Sequence, residues 1–85
     1  MNTPKNLADL KHFQNVFPVD TASVGIQFEA ERVFTENFGE DTLPGKKVTA
    51  RFLFAENDSE GNSVMVYEAY KDSGSNDYIY LTAIL

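Results

Sequence analysis

Apolar residues occupy both sets of alternating positions in the last nine residues, Asp77 to Leu85, Asp-Tyr-Ile-Tyr-Leu-Thr-Ala-Ile-Leu. Side chains alternate across a strand, so Tyr78, Tyr80 and Ile84 point one way and Ile79, Leu81, Ala83 and Leu85 the other. Such a strand requires cover on two sides. Upstream, the segments 48–55 and 63–70 are also rich in β-branched and aromatic residues. The polar runs 56–62 and 72–76 lie between the three segments and supply turn chemistry. Three consecutive strands joined by short polar loops predict an antiparallel meander.

At the other end, Thr3-Pro4 reads as a helix start, with Thr as cap and Pro at the first helical position. Leu7, Leu10, Phe13 and Phe17 follow at helical spacing, and Pro18 closes the element. The spacing predicts a helix over 4–16. The stretch 22–38 reads two ways. Val24, Ile26, Phe28 and Ala30 alternate with Gly25, Gln27, Glu29 and Glu31 as in a half-buried strand. Ala30, Val33, Phe34 and Phe38, with Gly39 just beyond, fit a helix ending in a glycine cap. Gly25 and the early alternation favour the strand. A loop over 39–46, turning at Leu43-Pro44-Gly45, leads into the meander.

The predicted fold is therefore α+β: an N-terminal helix packed on one face of a four-stranded antiparallel meander sheet, in one domain over 1–85. In outline it resembles helix-plus-meander folds of the cystatin type, as architecture only. Counting faces gives the main expectation. Val48, Ala50, Phe52 and Phe54 share one side of their strand, with Thr49, Arg51 and Leu53 on the other. Next along, Met65, Tyr67 and Ala69 oppose Val64, Val66 and Tyr70. A helix about 20 Å long covers one face of a small sheet. The other face, with Leu53, Val64, Val66, Tyr70, Tyr78 and Tyr80, is left as an apolar patch of the size that marks an interaction site. Tyrosine strengthens that expectation, being enriched at binding surfaces.

Composition narrows the classes. Eighty-five residues with 42% hydrophobic and 24% charged side chains suit a folded chain, though one with a small core. There is no cysteine, which removes disulfides and thiolate chemistry. No basic segment followed by an apolar run marks a signal peptide, and no apolar stretch reaches membrane-spanning length, so a cytoplasmic setting is expected. Thirteen acids against seven bases give a net charge of −6. That field disfavours nucleic acid and anionic membranes as partners and permits a basic protein partner, although acidity also simply keeps a small protein soluble. Lys71 is the sole base from Phe52 onward, which weighs further against nucleic-acid stacking on the tyrosines.

Catalytic constellations do not assemble. His12 is the only histidine, and nothing in the sequence places an orienting group or nucleophile beside it. The run Glu56-Asn57-Asp58-Ser59-Glu60-Gly61 resembles the start of a calcium loop, but the twelfth position is Tyr67 where a bidentate Glu is required. It reads as an acidic hairpin tip, and Asn57-Asp58-Ser59 as a turn although it matches a glycosylation triplet. Glu29/Glu31, neighbours on one strand face, and Glu40/Asp41 are the carboxylate pairs, expected to be solvated. Phosphate-binding glycine loops and nucleophile elbows are absent. No cofactor or metal is expected. The function expected is that of a small acidic non-enzymatic binding protein of inhibitor or adaptor type, homodimeric as well, similar in size and charge to small phage or mobile-element proteins. The alternative is a small-molecule carrier with Phe13, Phe28, Phe52, Phe54 and Tyr67 lining an apolar pocket between helix and curled sheet.

Overall fold

A computed structural model of the chain describes residues 3–20, 25–39, 48–71 and 77–84. The elements run α1 (Leu7–Leu10), β1 (Val16–Val19), α2 (Ile26–Phe38), β2 (Thr49–Asn57), β3 (Ser63–Tyr70) and β4 (Tyr78–Ile84). The three C-terminal strands follow the apolar pattern closely. Helix plus four-stranded sheet is the architecture, but the sheet is mixed. Its order is β1-β4-β3-β2, with β2, β3 and β4 antiparallel and β1 parallel to β4. The expected all-antiparallel meander, and with it the cystatin-type outline, is corrected on this point. The turn expected at 43–45 and the polar run 72–76 lie outside the described residues.

Two elements exchange their expected identities. The helix expected over 4–16 is a single turn, capped by the Asn6 side chain, which accepts from the Asp9 N–H at 2.8 Å. Beyond it the chain turns toward the sheet. Asn15 donates from its side chain to the Tyr78 carbonyl, and its own carbonyl accepts from the Tyr80 N–H at 2.9 Å. The helix ends at Leu10, well before Pro18, so the proline does not close it; the extended geometry that proline imposes on its neighbour is used instead for pairing in β1. Phe17 and Pro18 lie opposite Leu81 and Thr82 in the parallel ladder. Conversely, within the stretch 22–38 the described part from Ile26 onward is a helix rather than a strand. Ala30, Val33 and Phe34 make its buried stripe, and Gly39 terminates it at φ +83°, donating to the Thr35 carbonyl at 2.8 Å. The 3.6 period prevailed over the four-residue alternation, because only the helical stripe extends through the whole segment.

Each sheet face has its own cover. On one, α2 sets Ala30, Val33 and Phe34 against Ala69, Ile79 and Leu81, with Phe17, Val19, Ala50 and Tyr67 at the margin. On the other, the N-terminal arm sets Leu10, flanked by Leu7 and Phe13, against Val64, Val66 and Tyr80. An irregularity in β2 divides its residues between these two cores. Phe52 lies opposite Tyr67 on the α2 face, whereas Phe54 lies opposite Val66 on the arm face, the register shifting between them. A bulge inserts one residue and so reverses the face of everything after it. The expectation that Phe52 and Phe54 share a side is corrected accordingly, and Leu53 joins Phe54 in the arm-side core.

Candidate interaction surface

The six residues expected to form a bare patch do gather around one face, and the arm lies over its centre. Val66 and Tyr80 have no solvent exposure, Val64 is buried, and Leu53, Tyr70 and Tyr78 are half-buried. A bare second face follows only where a single helix is the sole cover. Leu7, Leu10 and Phe13 supply the second cover from the segment that precedes β1.

Tyr80 anchors that face. Phe13 meets its ring edge-on at 5.0 Å between centroids, and Tyr78 does so at 6.0 Å. Its hydroxyl donates to Glu68 at 3.3 Å, while Arg51 approaches the other oxygen of the same carboxylate at 3.3 Å. Burial holds the Tyr80 phenol well above its ordinary range, and the neighbouring Glu68 charge adds to that. Arg51, Glu68 and Tyr80 are direct cross-strand partners on β2, β3 and β4, so one row of the sheet carries the whole network. Sequence reasoning missed it, because it becomes visible only once the register is known. A buried carboxylate with two partners, one of them cationic, is a structural arrangement and offers no open position to a substrate.

The five residues of the expected carrier pocket do not converge. Phe13 and Phe54 belong to the arm-side core, Phe52 and Tyr67 stand on the α2 face, and Phe28 is exposed on α2. The sheet separates the first pair from the second. Among the carboxylates, Glu29 and Glu31 are not neighbours on one face, because a helix turns them apart. Glu29 is buried and accepts from Arg32 Nε at 2.6 Å and from the Asp20 N–H at 3.4 Å, whereas Glu31 is exposed. The Arg32 hydrogen bond, opposed in part by burial, holds Glu29 below the usual carboxylate range. Glu40 and Asp41 lie outside the described residues, and His12 is exposed. In the hairpin tip, Asp58 accepts from the N–H groups of Glu60 and Asn62, each at 2.9 Å. Its carboxyl is lowered by these bonds, that from Asn62 foremost, and it serves the turn. Among the described residues no group of three or more His, Asp or Glu side chains is placed to hold a metal ion. Among them, too, no helix is long and apolar enough to cross a membrane.

What remains open is at the margins. Phe28, Phe52 and Ile84 are 55%, 51% and 61% exposed. Phe52 rests against Tyr67, with ring centroids 5.6 Å apart. It lies on β2, a nine-residue strand at one edge of the sheet, six of whose residues are exposed. The opposite edge is β1, four residues long and containing Pro18. Comparison of the chain with family models, with curated proteins and with solved structures found no match in any of the three.

Proposed function

We propose that this chain is a small non-enzymatic binding protein that engages a protein partner, as an inhibitor or adaptor, and that it also self-associates. One observation carries this. A chain that covers both faces of its sheet from within still leaves Phe28, Phe52 and Ile84 more than half exposed. Aromatic side chains left exposed in this way are enriched at protein interfaces, and Phe52 stands on the edge strand β2. The net charge of −6 permits a basic partner. The expected site moves with the geometry, from the arm-covered residues Val64, Val66 and Tyr80 to these marginal ones.

The test is quantitative affinity capture from the native host at low and high salt. It compares the native chain with a variant carrying Phe28→Ser, Phe52→Ser and Ile84→Ser, matched by circular dichroism. The expected result is saturable retention of a defined protein by the native chain and its loss with the variant. Equal retention by both would overturn the proposal.

A further inference from the structure

We infer that the outer edge of β2 pairs antiparallel with β2 of a second copy, joining two four-stranded sheets into one of double width. This rests on the self-association proposed above and specifies its interface. A sheet edge presents backbone N–H and C=O groups that another extended chain can satisfy. Of the two edges, β1 is short and interrupted by a residue that lacks an N–H, whereas β2 has nine residues and no proline. Among the described residues, no strand pairs with the outer side of β2.

The bulge in β2 decides which register a copy can adopt. Before it, Thr49 and Arg51 lie on the arm face, and Ala50 and Phe52 on the α2 face. After it, Phe54 and Glu56 take the arm face, and Ala55 and Asn57 the α2 face. A two-fold axis between Leu53 and Phe54 pairs Arg51 with Glu56 of the copy, Phe52 with Ala55, and Ala50 with Asn57. Each of these pairs joins residues of one face. In an unbroken strand the same pairs would join opposite faces, so the bulge is what admits them. The backbone agrees. Arg51 and Glu56 stand opposite Glu68 and Val64, an even number of residues apart on β3, so their amides point the same way. Phe52 and Ala55, opposite Tyr67 and Met65, share the other direction. An antiparallel ladder requires that match in every opposed pair.

Charge then selects this register. By symmetry it brings Arg51 and Glu56 together twice. Arg51 meets Glu68 at 3.3 Å through one nitrogen, and its side chain is 54% exposed, with further N–H donors to give. Glu56 accepts the Leu7 N–H at a long 3.5 Å and remains exposed. The row of Tyr80, Glu68 and Arg51 therefore continues across the axis to Glu56 of the copy. On the other face, the two half-exposed Phe52 rings become diagonal neighbours beside Ala55. An axis between Phe52 and Leu53 instead opposes Arg51 to Phe54 and leaves Glu56 against Thr49. An axis through Leu53 sets Phe52 against Phe54, on opposite faces.

The test is sedimentation equilibrium of the full chain and of two variants, Arg51→Glu and Glu56→Lys, each matched to the native fold by circular dichroism. Either variant alone opposes like charges in both pairs, and its association should weaken about tenfold. Mixed in equal parts, the two restore opposite charges in both pairs, and the mixture should associate as the native chain does. A nitroxide on Asn57→Cys reads the register with the charged pair intact. Broadening in an isotopically labelled native copy should centre on Ala50, and this decides alone should Arg51→Glu fail to fold. Native-strength association of either variant, no recovery on mixing, or broadening centred elsewhere would overturn the β2 interface and leave self-association standing. A strict single-chain mass for the native chain at high concentration would remove both.

Discussion

Tyr80 shows how one side chain joins an apolar core to a polar row. Its ring fills the centre of the arm-side core, and its hydroxyl satisfies a buried carboxylate that Arg51 also neutralises. Tyr80→Phe keeps the ring and removes one hydrogen bond, so a stability loss of about 1 kcal/mol in urea denaturation is expected. An unchanged midpoint would show that the hydroxyl contributes nothing. Because its phenol is held above the ordinary value of 10.0, the unfolded chain ionises first as the pH climbs. The stability linked to Tyr80 is therefore complete below pH 10 and is lost above it. In an alkaline absorbance titration the Tyr80 step should coincide with unfolding. Glu29 has the opposite sign. Its native carboxyl lies below the ordinary 4.5, so its contribution is present above that pH and disappears as acid protonates the native form. Glu29→Gln should flatten the dependence of the melting temperature on pH below about 4.5. An acid limb identical to that of the native chain would contradict the Arg32 pairing.

Among the elements, the strands of the meander were legible because each carries an apolar run between clear turn signals. α2 and β1 were not. Ile26 and Ala30 fit both periods while Phe28 fits only the strand's, and the deciding evidence is the later stripe through Val33 and Phe34 together with Gly39. That glycine lies at φ +83° and ψ 163°, a region essentially closed to other residues, with open space where a Cβ would stand. Gly39→Ala is expected to cost about 1–3 kcal/mol in thermal or urea denaturation, entirely through the backbone. No loss would mean that the helix ends in another way. β1 was illegible for a different reason: four residues around a proline gain strand geometry only by pairing with β4, a contact from far along the chain. The bulge at 52–54 escaped for the same reason, since only the partner register reveals it. The expected interaction residues were correctly grouped on one face, yet the arm that covers them reads locally as a longer helix.

For the molecule as a whole, both faces of the sheet are covered by segments of one small chain, and Phe28, Phe52 and Ile84 remain more than half exposed outside those cores. Self-association through β2 predicts a light-scattering mass above the 9.5 kDa of one chain. A strict single-chain mass at high concentration would remove the self-association. The most direct measurement on the central claim is residue-resolved amide exchange in the chain diluted to its single-chain mass. If the edge is open, β2 amides should alternate between slow, where they bond to β3, and fast, where they face outward, while β3 and β4 stay slow throughout. Uniformly slow exchange along β2, or fast exchange across β3 and β4, would contradict it.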